Sequence, residues 1–111
     1  MEEINFEEFR KVKILIGTIL EARLNLKARN PAYVLRIDFG PFGIKTSSAH
    51  ITENYQTESL IGLQISAVVN FTAKRIAGFK SEVLILGAYS EDKGVLLLTP
   101  TESVEDGSLI G

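Results

Sequence analysis

The chain has no cysteine, no tryptophan, one histidine and three prolines in 111 residues. Without cysteine there is no disulfide, no thiolate metal site and no thiol nucleophile. A lone imidazole, His50, makes no zinc site without carboxylates at ligand spacing, and none stands there. Ser48 and His50 are two apart, so on a strand they point the same way with Cβ atoms roughly 7 Å apart. That geometry, with no third group to orient the ring, does not make a nucleophile–base pair. Neither G-x-x-x-x-G-K-[ST] nor G-x-G-x-x-G occurs. No apolar run approaches the ~18 residues of a membrane span. The opening MEEINFEEF is acidic and lacks an apolar stretch, which predicts no export signal and a cytoplasmic protein. These absences argue against an enzyme and against any metal or cofactor, and leave binding.

What is present describes a globular domain. The hydrophobic fraction is 45% and the mean hydropathy +0.14, well above disordered chains. The length suits a single domain over residues 1–111. A net charge of −2 conceals an uneven distribution. Residues 1–9 hold four acids and no base; residues 10–80 hold eleven bases and four acids; residues 81–111 hold six acids and Lys93. A basic centre between acidic ends either attracts a polyanion locally or only keeps the surface soluble.

Asn5 followed by Glu8 fits a capping box and predicts a short helix over 6–11, with Phe6 and Phe9 on its inner face. VKILIGTILEA, 12–22, reads as a long strand, and Gly17 within it as a bulge or bend of the kind that closes small barrels. Residues 32–39 alternate, with Tyr33, Leu35, Ile37 and Phe39 on one face and Val34, Arg36 and Asp38 on the other. Gly40-Pro41-Phe42-Gly43 reads as a turn before the strand IKTSSA, 44–49. A two-residue loop Pro41-Phe42 would pair Asp38 with Lys45 and Arg36 with Ser47, giving a polar platform of Arg36, Asp38, Lys45 and Ser47. Residues 50–62 predict a short helical connection, with Thr57 as N-cap and Gly62 as stop. Strands at 63–71, 83–89 and 94–98 follow. The run Leu96-Leu97-Leu98 has no polar alternate, so it requires cover on both faces, and a second copy of the chain is the expected cover.

Five or six strands, a bend in the first and a helix between the third and fourth point to an all-β, five-stranded OB-fold barrel with a short N-terminal helix. The binding face of that fold, strands 2–3 and flanking loops, is where the Arg36/Lys45/Ser47 platform falls. KRIAGFKSE, 74–82, then reads as a loop that sets Phe79 between Lys74–Arg75 and Lys80. Cations beside an aromatic suit a single-stranded nucleic acid; they equally suit an extended peptide. The plainer alternative folds Phe79 over the barrel end and leaves the cations in water. ARNPAY, 28–33, either adds Arg29 to the same rim or is only a turn.

KARNPAYVLRIDFGPFGIKTSSAHIT and VVNFTAKRIAGFKSEVLILG closely resemble the CsaA family of export-related chaperones, and the likeness runs from FEEF to the final LIG. CsaA is in turn similar to the tRNA-binding OB domains at the C-terminus of many methionyl-tRNA synthetases. The resemblance implies a homodimer whose N- and C-terminal segments help to form the interface. It implies binding of unfolded or export-bound polypeptides, the secretion ATPase SecA as a candidate partner, and an ancestral tRNA-binding surface. On this chain that surface would comprise Lys45, Ser47, Ser48, Asn70, Lys74, Arg75, Gly78, Phe79 and Ser81, with Arg29, Pro31 and Tyr33 as the adjacent wall. Two positions depart from the pattern. The tRNA-binding relatives commonly show Ser-x-Gly-Met after the basic segment, whereas Ser81-Glu82 here precedes Val83-Leu84. His50 stands where CsaA proteins often have Gln; a neutral imidazole can likewise donate or accept.

Overall fold

The computed structural model describes residues 1–111, the side chain of Ile76 excepted. It contains helix α1 (Phe6–Arg10), strands β1 (Ile14–Leu24), β2 (Tyr33–Asp38) and β3 (Ile44–Ala49), and helix α2 (Thr57–Leu60). There follow β4 (Gln64–Val68), β5 (Lys74–Ile76), β6 (Phe79–Ser81), β7 (Leu84–Ile85), β8 (Gly87–Ser90), β9 (Gly94–Leu97) and β10 (Leu109–Ile110). The main sheet runs β3-β2-β1-β4-β7, all neighbours antiparallel, with β10 also on β1. The Glu82 N–H donates to the Thr46 carbonyl at 2.9 Å and brings the far side of the sheet back to β3. The result is a nearly closed five-stranded barrel of the OB type, as the strand pattern predicts.

Alternation along the strands fills the barrel. Leu15, Ile19, Leu35, Ile37, Phe39 and Ile65 are all buried inside it, and Leu60 of α2 plugs one end. Each such side chain contributes about 1.5–3 kcal/mol of hydrophobic stabilisation. Gly17 is not a bulge: it pairs regularly with Ile65. A Cβ there would lie 2.7 Å from Ile37 Cγ2 and from the Phe39 ring, so glycine is needed to let those two side chains lie against β1. The true bulge is at Leu20, where the β1–β2 register shifts between Ile19↔Ile37 and Glu21↔Arg36. The extra residue turns Glu21 outward and Ala22 inward, opposite Leu35.

The β2–β3 connection also departs from expectation. Asp38 accepts from the Gly40 N–H at 2.8 Å, residues 40–42 form a 3-10 turn, and Gly40 and Gly43 both have positive φ. The loop is therefore longer than Pro41-Phe42, and Asp38 pairs with Ile44, Ile37 with Lys45, Arg36 with Thr46 and Leu35 with Ser47. This one-residue slip exchanges the faces of β3.

Smaller differences are local. The Asn5/Glu8 capping box of α1 forms as predicted, but no residue of that helix is buried: the Phe6 and Phe9 rings touch each other, 6.4 Å apart, and Phe6 is exposed. Gln56 rather than Thr57 caps α2, its N–H donating to Ser59 Oγ at 3.2 Å. The predicted loop 74–82 is a β-hairpin, β5–β6, turning on Ala77 and Gly78, both at positive φ. Finally, the last residues are ordered against β1 and β4. Gln64 exchanges side-chain hydrogen bonds with the Val104 backbone, Asp106 accepts from Thr18 Oγ1 at 2.6 Å, and the Gly107 N–H donates to the Ile16 carbonyl.

Candidate polypeptide and nucleic-acid interface

The β5–β6 hairpin stands over the outer face of β1-β2-β3 and is fastened to it by three bonds. Thr46 Oγ1 donates to the Lys80 carbonyl, Glu82 N–H donates to the Thr46 carbonyl, and Ser48 N–H donates to Ser81 Oγ at 3.4 Å. Glu82 reaches back as well, accepting from the Thr46 N–H at 3.2 Å, its Oε1 lying equally 3.2 Å from the Thr46 hydroxyl oxygen. Thr46 can make these contacts because the register places it outward.

Between hairpin and sheet lies a groove of about 320 Å³. Val34 forms its apolar floor; Glu21, Arg23, Arg36 and Thr46 form its polar floor; Phe79 and Lys80 overhang it. Phe79 is half-buried, neither sealed in the core nor free in water. Arg36 Nη1 and Glu21 Oε2 form an ion pair at 3.2 Å. Among the described residues, Arg23, Arg75 and Lys80 form no ion pair. Arg75 and Lys80 even face each other across the hairpin. Like charges directly opposite destabilise a ladder, and such a broken local rule is expected at a functional site.

A second groove, about 540 Å³, opens on the other side of the hairpin between Phe71 and Leu84, with Lys74, Ser81 and Val83 along it. Phe71 and Leu84 are 58% and 52% exposed, high for large apolar side chains.

The predicted site residues divide accordingly. Arg36, Phe79, Lys74 and Ser81 line the two grooves, and Arg75 and Gly78 belong to the hairpin between them. The Lys27 aliphatic chain lies against Gly78. Ser48 shares the outer face, and its Oγ is enclosed without a hydrogen-bond partner. Ser47 is a correction: the register turns it inward, fully buried, where Oγ donates to the Val83 carbonyl at 2.8 Å. Tyr33 is also interior, not a wall, its hydroxyl donating to the Tyr55 carbonyl at 2.7 Å. Lys45 moves with Ser47 off the platform and sits beside Phe39, Phe42 and Val69 at the barrel end. Asn70 is engaged structurally, accepting from the Lys13 N–H and donating to the Lys11 carbonyl. Arg29 and Pro31 are exposed in the β1–β2 loop, where the Pro31 carbonyl lies 3.1 Å from His50 Nδ1. Sequence reasoning missed Glu21, Arg23, Val34, Thr46, Phe71 and Leu84. The alternation of 32–39 already put Val34 beside Arg36; Glu21 and Thr46 needed the bulge and the loop length.

Among the described residues, no helix is long and apolar enough to cross a membrane. Among the described residues, no three His, Asp or Glu side chains are placed to hold a metal ion.

Residues 14–109 match the family described as "Putative tRNA binding domain". The fold superposes on the CsaA chaperone of Bacillus anthracis with a TM-score of 0.93 at 50% identity, covering 99% of this chain and 100% of that one. For the CsaA chaperone protein of Picrophilus torridus the TM-score is 0.92 at 48% identity, covering 98% and 100%. The methionine–tRNA ligase of Porphyromonas gingivalis is 34% identical over 109 residues, 98% of this chain but 16% of the ligase. The chain thus spans about a sixth of the length of the curated relatives it matches.

Proposed function

Because the chain belongs to the tRNA-binding domain family, in its CsaA branch, we propose that it is an ATP-independent, dimeric chaperone for unfolded or export-bound polypeptides. The observation that carries this reading is the pairing of open apolar side chains with cations. Phe71 and Leu84 flank a groove that Lys74 borders, and Phe79 overhangs another lined by Arg36 and Lys80. An extended chain would place apolar side chains in the grooves and offer carbonyl or carboxylate oxygens to the cations. This is binding, not catalysis. No nucleotide-binding motif exists to couple it to ATP, so release follows from weak affinity or handover, for which a SecA-like secretion ATPase in the cytoplasm is the partner that the resemblance implies.

Dimerisation rests on a separate surface. Leu98, Leu109 and Ile110 are exposed around a cleft of about 430 Å³ that Ile14, Ile16 and Leu86 complete. Leu96 is exposed too, as are Ile4 and Phe6 near the other terminus. A second copy would cover these residues and set two pairs of grooves on one particle, raising avidity for any polypeptide long enough to span both.

A second reading, tRNA binding by the same hairpin, is favoured by the uncompensated Arg75–Lys80 pair. Titration of a labelled unfolded peptide and of labelled tRNA at two salt concentrations separates the two. Binding through phosphates weakens by roughly 0.7–0.9 log units per contact for each log unit of salt, whereas apolar capture is nearly flat. The chaperone reading expects peptide affinity that survives salt and falls in Phe79→Ala. Peptide binding that is absent, or unaltered by Phe79→Ala and by Leu84→Ala, overturns it.

A further inference from the structure

We propose that Glu21 is a specificity-determining residue of the hairpin groove: it holds the guanidinium of Arg36 and thereby turns the groove toward polypeptides and away from polyanions. The proposal rests on the polypeptide reading of that groove.

Three observations support it. First, the bulge at Leu20 is what brings Glu21 to the outer face; with unbroken pairing, Glu21 would stand opposite Leu35 and Leu20 opposite Arg36. A bulge that re-aims one side chain next to a binding surface is a common functional device. Second, Glu21 uses that position on a cation of the groove floor: Arg36 pairs with it at 3.2 Å, while Arg23 and Lys80, which line the same groove, form no ion pair among the described residues. Third, Glu21 is itself largely open, its side chain 62% exposed, so its charge faces whatever enters.

For a phosphate this arrangement is unfavourable twice over. One N–H of the guanidinium, at Nη1, is already engaged by the carboxylate, and an approaching anion meets a like charge. A neutral polypeptide backbone meets neither obstacle, because its N–H groups can donate to the carboxylate while its carbonyls accept from Arg23 and Lys80.

The test uses Glu21→Gln and the double variant Glu21→Gln/Arg36→Gln in the full chain, with unfractionated tRNA and a fluorescein-labelled unfolded peptide of zero net charge as probes. Both variants alter solvent-exposed side chains. Glu21→Gln is expected to tighten tRNA binding by about three- to tenfold at low salt, the size of one removed surface repulsion. It should also steepen the salt dependence by about 0.7–0.9 as Arg36 takes one further phosphate. The double variant loses that extra slope. Peptide affinity is expected to fall about two- to fivefold in Glu21→Gln, the scale of one weakened hydrogen bond to a charged group, and further in the double variant; a peptide affinity that rises in Glu21→Gln overturns the proposal. An unchanged tRNA affinity and slope in Glu21→Gln overturns the proposal, and so does an extra slope that persists without Arg36. If the unaltered protein fails to bind the peptide, the chaperone reading falls by itself, and the tRNA titrations still decide what Glu21 does.

Discussion

Thr46 stands directly opposite Arg36 across β2 and β3, and its hydroxyl donates to the Lys80 carbonyl of the overhanging hairpin. One side chain thus joins the floor of the groove to its roof. Thr46→Val keeps the shape and removes the donor. The expected loss of stability is about 1 kcal/mol, accompanied by faster amide exchange in residues 74–81 and weaker peptide binding. Unchanged exchange in the hairpin would show that the Lys80 bond does not hold it.

Ser47, next along β3, points the other way. Removing its hydroxyl leaves the Val83 carbonyl without that donor inside the barrel. Ser47→Ala is expected to lower stability by about 1–3 kcal/mol, read from the denaturant midpoint. Well below that midpoint, peptide and tRNA affinities stay at their original values, because the residue touches neither groove.

Gly17→Ala tests packing rather than turn geometry. Its Cβ would come 2.7 Å from both Ile37 and Phe39. Overpacking of this kind costs about 1–3 kcal/mol, so the thermal midpoint should fall while the far-UV circular dichroism of the β structure persists.

Ala77 holds a φ of +47°, followed by Gly78 at +90°. Alanine in the left-handed region costs about 1–2 kcal/mol, and Asn-Gly is the favoured pair for such a turn. Ala77→Asn should therefore stabilise the hairpin by roughly 0.5–1 kcal/mol, visible as slower exchange in β5 and β6. A tighter hairpin with unaltered ligand affinity would mean that binding does not require it to move.

Light scattering is expected to find about twice the 12.2 kDa chain mass at micromolar concentration. Leu109→Glu, in the exposed apolar surface, should shift the mass to that of one chain. A monomer in the unaltered protein would leave Leu98, Leu109 and Ile110 without the cover assigned to them.

Much of this was legible in the letters. The period-2 alternation of 32–39 placed Leu35, Ile37 and Phe39 in the core, and the Asn5/Glu8 spacing marked the first helix. Both are local: a strand's alternation and a cap's reach involve neighbours in sequence. The block KRIAGFKSE likewise named the residues of the hairpin, because cations on either side of an aromatic are visible without coordinates. Its turn was harder, since Ala77 is not a residue that announces positive φ.

The sequence by itself determined a small β-barrel with a basic, aromatic segment between late strands. The tertiary structure decided which side chains share a surface with that segment. Two one-residue events did so: the bulge at Leu20, and the longer loop that Asp38 and Gly40 make after β2. Strand faces alternate with period two, so each event exchanges inside and outside. Lys45 and Ser47 leave the platform, Thr46 joins it, and Glu21 arrives beside Arg36. Register is set by pairing between strands and by closure of the barrel, which is why composition and local pattern do not encode it.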